Sequence, residues 1–281
     1  MSKYDEIKDR SDEHFKRLTG VRKTTFRKMV EAVVTYENER KKISGRPLKL
    51  SYEDQVLMTL EYNREYRTYF HLGADYGMSE SNCHKLIKKT EDILVISDDF
   101  RLPDRKKMAK NDTEIEAVPA DATESPIQRP EKRQKFYCSG KKKRHTLKTQ
   151  AAVNAETLEI PALNFAKGRR HDFRIFKESR LKIAEKIVIR ADSGYPGIDK
   201  IHKNSLLPKK SSKKNPLSRK DKRNNKKLSR QRVFTEHVIG KIKIFKILSD
   251  KYRNRRKRFE LRFKLIAGIY NFELKTREND F

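Results

Sequence analysis

The chain has 281 residues, 35% of them hydrophobic and 38% charged, with a formal net charge of +30. That length suits one large domain or two ordinary ones, and the apolar share is low for a globular chain yet too high for disorder throughout. The charge points to a polyanion as partner, nucleic acid first, and the two cysteines, Cys83 and Cys138, exclude a disulfide framework or a four-thiolate zinc site.

The first residues, Met1 to Glu6, are charged at once and offer no signal-peptide core. No run approaches the ~18 apolar residues of a membrane span. The expectation is a soluble, cytoplasmic protein with reduced thiols and no membrane partner.

Residues 1–97 read as helical. Phe26, Met29, Val30, Val33 and Val34 recur at helical spacing between Arg22 and Lys41. Ser51 can cap a helix with Val56, Leu57 and Leu60 on its apolar face. A shorter helix is expected near Thr68 to Asp75. Gly77 breaks it, and Ser79 can cap a third helix carrying Leu86, Ile87, Ile93 and Leu94. Helix, short helix, glycine turn and helix is the layout of a helix-turn-helix, and equally of many helical bundles. Residues 98–114 are polar and aperiodic and read as a linker.

Strand texture follows. Ile115 to Asp121 is short and ends on a carboxylate. Leu147, Thr149, Ala151 and Val153 alternate. Asn154-Ala155-Glu156 offers a turn into a third strand near Ile160 to Phe165. A helix is expected near His171 to Ile183. The run Ile187-Val188-Ile189 suits a strand buried on both faces and leads to Asp192. Residues 209–232 are half Lys and Arg and read as an extended, charged loop or arm. A last helix is expected from about Ser229 to Asp250, with Phe234, Val238, Ile242 and Phe245 as its apolar stripe. A basic run with interleaved aromatics, Lys251 to Lys264, comes after it. Three strands in a meander, a helix, a strand and a late helix is the order of a ribonuclease H-like α/β domain.

Asp121 and Asp192 each end an expected strand. Singly, such an Asp reads as well as a turn former or cap. Arg232, Glu236 and Lys243 share one face of the last helix at ~100° per residue, where an exposed Arg–Glu pair fits as readily as a site. Two Asp and one Glu make a hard-oxygen cage for two Mg²⁺ ions, with Mn²⁺ as substitute.

At these residues the chain resembles the acidic-triad transposases of bacterial insertion sequences, in the branch akin to the eukaryotic Harbinger-type elements. The motifs that carry the resemblance are Asp121-Ala122-Thr123-Glu124-Ser125-Pro126-Ile127-Gln128-Arg129-Pro130, Tyr137 to Thr146, Gly168-Arg169-Arg170-His171-Asp172, Ala191-Asp192-Ser193-Gly194-Tyr195, and the Arg232, Glu236, Lys243 spacing. Ser229 stands where family members carry Tyr, and Pro119 lies where their strand is aliphatic.

The resemblance implies a helix-turn-helix DNA-binding domain over 1–97, a linker over 98–114, and a ribonuclease H-like catalytic domain over 115–281 with a basic insert at 209–232. It implies catalytic, metal-binding Asp121, Asp192 and Glu236, and cleavage at terminal inverted repeats with joining to target DNA. The expected partner is double-stranded DNA, bound by a homo-oligomer at the nucleoid. Lys141, Lys142, Lys143, Arg144, Arg232 and Lys243 are expected on DNA phosphates, and Ser81, Asn82 and Lys85 on the element ends. A transposase-derived DNA-binding protein without catalysis is the alternative.

Overall fold

The structure is a computed structural model. It describes residues 2–40, 49–103, 117–119, 122–179, 183–191, 194–212 and 216–278, with the side chains of 117–119, 231–232 and 277–278 left aside. Its contacts divide the chain into two compact units. One holds residues 1–101, 242–250 and 254–281, the other 102–241 and 251–253.

The first unit is helical: α1 (Asp12–Thr19), α2 (Lys23–Arg40), α3 (Tyr52–Glu65), α4 (Tyr69–Tyr76), α5 (Glu80–Ile96), α8 (Lys246–Ser249) and α9 (Phe259–Glu278). Side chains at the expected helix starts do the capping, Ser51 and Ser79 as read from the sequence and Thr68 besides. Ser51 accepts from Asp54 N, Thr68 from His71 N, and Ser79 from Asn82 N, each satisfying a first-turn donor that the helix cannot. Gly77 ends α4 with φ 61°, a left-handed turn that costs glycine little. The core takes Phe26, Met29 and Val33 from α2, Val56, Leu57 and Leu60 from α3, and Ile87, Ile93 and Leu94 from α5.

From the sequence the segment after Lys251 reads as a basic run with interleaved aromatics. In the structure α9 closes this unit. Phe259, Phe263, Leu265, Ile266 and Ile269 are buried, and Phe100, read as linker, packs 5.1 Å from Phe272 by ring centroids. Fully buried Glu91 on α5 receives Arg258 at 2.7 Å and Arg262 at 2.8 Å. Burial of a carboxylate is tolerable when charge and hydrogen bonds are both matched in this way.

The second unit carries β1 (Ala117–Pro119), β2 (Thr123–Pro126), β3 (Thr146–Asn154), β4 (Ala162–Lys167), α6 (Asp172–Glu178), β5 (Ile189–Arg190), β6 (Ser205–Leu206) and α7 (Arg219–Ile242). β3 is the spine. It pairs antiparallel with β1 and β2 on one side and with β4 on the other. β5 lies beside β1 and pairs in parallel with β6. Asn154 makes the expected turn, its Oδ1 accepting from Glu156 N at 2.9 Å and Thr157 N at 3.3 Å. The alternation read in β3 gives way from Thr149 onward to burial on both faces. Phe173 and Phe176 of α6 pack with Ile189, Ala191, Tyr195 and Ile198. Mixed helix and sheet, with the helices first, agrees with the expected class.

The basic stretch 209–232 differs from the extended loop expected of it. From Arg219 on it is helix, and α7 starts well before the expected Ser229. The cause is a reciprocal cap. Asp221 N donates to Ser218 Oγ at 3.1 Å, and Ser218 N donates to Asp221 Oδ2 at 3.2 Å. A narrow half-buried stripe, Asp221, Asn225 and Leu228, faces the unit, and the Lys and Arg side chains between 219 and 230 are exposed. The apolar stripe is also shifted. Val238, Ile242 and Phe245 are buried, whereas Phe234 is 53% exposed and Thr235 is buried instead.

Candidate active site and nucleic-acid interface

The α4–turn–α5 segment presents one open edge. Cys83 and Ile87 turn into the core, so Ser81, Asn82, His84 and Lys85 on the same two turns are exposed. A helix anchored by a serine cap and an apolar inner face leaves its first outward side chains to reach a groove. All three residues expected there, Ser81, Asn82 and Lys85, are outward. His84 leans edge-on against Tyr69, with ring centroids 5.4 Å apart.

In the second unit, Asp121 and Asp192 lie outside the described residues, and what flanks them is described. Pro119 pairs with Ala152 and Thr123 with Thr149. Gln150 and Ala151 therefore stand opposite the interval that contains Asp121, and the register changes by one residue across it. Gln150 is 2% exposed. Its Nε2 donates to the Tyr195 hydroxyl at 2.5 Å and is 3.5 Å from the Asp172 carbonyl oxygen. Tyr195 follows Asp192 by three positions and is held by Phe173 and Phe176, with centroids at 5.8 and 6.4 Å. Buried Gln150 Oε1 has no hydrogen-bond partner among the described residues. Such an atom costs about 1–3 kcal/mol.

One turn of the pleat away, on the same face of β3, Lys148 lies between two carboxylates. Its Nζ is 2.7 Å from Asp172 and 3.7 Å from Glu124, with the lysine side chain 12% exposed. Glu124 also accepts from Ser139 Oγ at 2.9 Å and Thr146 Oγ1 at 3.1 Å. Asp172, in the first turn of α6, is the ion-pair partner of Lys148, and His171 at the cap position makes no side-chain cap bond. Gly168 fits where no side chain would. A Cβ there would lie 2.2 Å from Thr146 Oγ1 and 2.5 Å from the Tyr137 carbonyl oxygen. The network thus joins the motifs around Glu124, Ser139 and Asp172. Sequence reading missed Lys148 and Gln150; the available signal was two polar residues at strand spacing in a segment otherwise fit for burial.

Glu236 is exposed on α7. Arg232 is on the same helix, its side chain outside the described set. Lys243 does not share the helix as expected: α7 ends at Ile242, and Lys243 lies half-buried in the turn beyond it. Lys141, Lys142, Lys143 and Arg144 are exposed at the tip between the bridged residues Cys138 and His145, with Lys143 at φ 52°. They occupy a turn, not the strand itself. Among the described residues no three His, Cys, Asp or Glu gather in a way that could hold a metal ion, and no helix is long and apolar enough to cross a membrane.

Comparison with known proteins agrees with this arrangement. A family model described as DDE superfamily endonuclease matches residues 120–271, and one described as the helix-turn-helix of DDE superfamily endonuclease matches 48–97. The probable transposase for insertion sequence element IS702 of Microchaete diplosiphon is 48% identical over 275 residues, 98% of this chain and 99% of that protein. A protein of Streptomyces albus G, named as a transposase for insertion sequence element IS112, is 28% identical over 236 residues, 83% of this chain and 84% of its own. No solved structure matches. With its endonuclease and helix-turn-helix segments matched in order, and with a relative spanning nearly its whole length, the chain belongs to the DDE superfamily of endonucleases, among the transposases of insertion sequences.

Proposed function

We propose that this chain cleaves DNA at the terminal inverted repeats of its element and joins the ends to target DNA, with Asp121, Asp192 and Glu236 as the catalytic carboxylates. The observation that carries this reading is the Gln150–Tyr195 hydrogen bond. It ties β3, level with the interval that contains Asp121, to the segment that follows Asp192. The proximity of β1 and β5 supports the same convergence. Carboxylates from two neighbouring strands and a helix suit hard divalent cations, and the fit to Mg²⁺, with Mn²⁺ as substitute, rests on that donor set. Two such ions, when bound, supply charge neutralisation for both the attacking and the leaving oxygen of an in-line displacement.

The chain's own residues do the rest. The three carboxylates bind and orient, and Tyr195 and Gln150 keep the two Asp-bearing segments together. Arg232 and Lys243 hold phosphate near the site, and Lys141, Lys142, Lys143 and Arg144 track the backbone without sequence choice. The stretch 1–97 reads the ends through Ser81, Asn82 and Lys85, 115–281 supplies the chemistry, and 98–114 links them. The working form is a homo-oligomer on DNA at the nucleoid. Kinship with the Harbinger-type branch rests on the motif resemblance alone.

The test is to incubate the full chain and its Asp121→Asn, Asp192→Asn and Glu236→Gln variants with a duplex of the element's own terminal repeat and Mg²⁺. The parent should nick at the element boundary, and each variant should bind without nicking. A nicking Asp192→Asn variant refutes the triad. Binding without nicking by the parent makes the chain a transposase-derived DNA-binding protein.

A further inference from the structure

Gln150 is an expensive residue for its position. Strand β3 is buried on both faces there, and Gln150 lies between Asn164 on β4 and the interval from Pro119 to Thr123. Leucine or methionine would fill the same space without a polar atom to satisfy. Only one end of the amide is used. Nε2 reaches the Tyr195 hydroxyl, and buried Oε1 has no protein partner among the described residues. Turning the amide over would set its oxygen against the Asp172 carbonyl oxygen, 3.5 Å away, and would still leave one end without a partner among the described residues, so the amide stands as assigned. The Tyr195 ring cannot follow a weakened bond easily, because Phe173 and Phe176 pack against it and it is 1% exposed. A buried amide with one end fixed and the other unpaired, at the point where two acid-bearing segments meet, fits a group that completes its bonding when a ligand arrives.

We propose that Gln150 is a positioning residue for the metal-binding carboxylates: it locks the Asp192 segment to β3 through Tyr195 and keeps its second amide end for a water carried in with the divalent ions. The proposal rests on the carboxylate triad proposed above. Groups that orient metal ligands from behind contribute to affinity for the ion or to activity, and a group that fixes the ligands before the ion arrives is read in the affinity.

The experiment uses the full chain and Gln150→Leu, Tyr195→Phe and Asp192→Asn variants. Mn²⁺ binding is titrated by electron paramagnetic resonance without DNA, and nicking of the terminal-repeat duplex is measured across Mg²⁺ concentration. Gln150→Leu should weaken Mn²⁺ binding about 10- to 100-fold and raise the half-maximal Mg²⁺ concentration in step, with the saturated rate and the DNA Kd little changed. Tyr195→Phe, which keeps the ring and its packing, should shift both in the same direction. If Gln150→Leu fails to fold, Tyr195→Phe decides. Parent-like Mn²⁺ binding by both variants, or a lowered saturated rate at unchanged metal dependence, overturns the positioning role. Asp192→Asn separates the two levels: parent-like Mn²⁺ binding in that variant overturns the triad, whereas its loss there alone, with Gln150→Leu and Tyr195→Phe unaffected, overturns only the role of Gln150.

Discussion

Lys148 shows what one side chain can hold together. Its ammonium is the cation between Glu124 and Asp172, and Glu124 is further bound by Ser139 and Thr146. Replacing it with methionine keeps the length and packing of the stem but leaves two carboxylates without their cation. Breaking a largely buried pair from one side costs about 3 kcal/mol. Lys148→Met should therefore lower the urea midpoint of the second unit, and adding Glu124→Gln should recover part of the loss, because the two changes are coupled. An unchanged midpoint in the single variant would make Lys148 a spectator. Asp121 and Asp192 stand out in the sequence because carboxylates at the ends of expected strands are conspicuous, and both lie outside the described residues. Lys148 and Gln150 do not, because a Lys or Gln on a strand reads as solvent-facing until the second covering layer, here α6, is known.

Helix boundaries followed their caps. Ser51 and Ser79 could be read directly as caps and Thr68 as a helix start, and the helices begin where those side chains accept. Ser218 was equally readable, yet the density of like charge after it favoured a loop. The reciprocal bonds between Ser218 and Asp221 offset that repulsion, and Lys209, 2.7 Å from Asp221, adds to it. The Lys209 ammonium and the Ser218 hydroxyl hold the Asp221 carboxyl down at about 2. Its folded value is depressed, so its contribution is present above the ordinary carboxylate range and is lost as pH falls through about 2. Ser218→Ala should cost about 1 kcal/mol of local stability. Amide exchange at 219–222 should quicken at neutral pH while exchange at 235–242 stays slow. Equal quickening along α7 would mean that the cap does not set the boundary.

The outward edge of α5 and the lysine tip between Cys138 and His145 call for different signatures. Asn82→Ala should reduce discrimination between the terminal repeat and random duplex by roughly 1–3 kcal/mol. Removing one of Lys141, Lys142 or Lys143 should weaken both duplexes alike and lower the salt slope by about one unit. If Asn82→Ala weakens both duplexes equally, α5 does not read sequence.

Across the whole molecule, compact units and sequence order diverge. The expected stretch 115–281 surrenders 242–250 and 254–281 to the helical unit, where Arg262 on α9 and Arg258 just before it neutralise Glu91. The hydrophobic pattern of α9 was hard to read because it buries several sides at once and starts inside a basic run. A fragment of residues 1–101 lacks this cover. It should retain helix by far-ultraviolet circular dichroism, bind a hydrophobic dye and melt without cooperativity. A sharp transition at the temperature of the intact chain would show α9 to be dispensable. The dependence of α5 on α9 also bears on synthesis. A ribosome makes the N-terminal helices early, but their last partner is translated only at the far end of the endonuclease stretch. A chain broken off before that point carries a helix-turn-helix with its inner face uncovered, so DNA binding by that segment would mature only in molecules that also carry the endonuclease stretch.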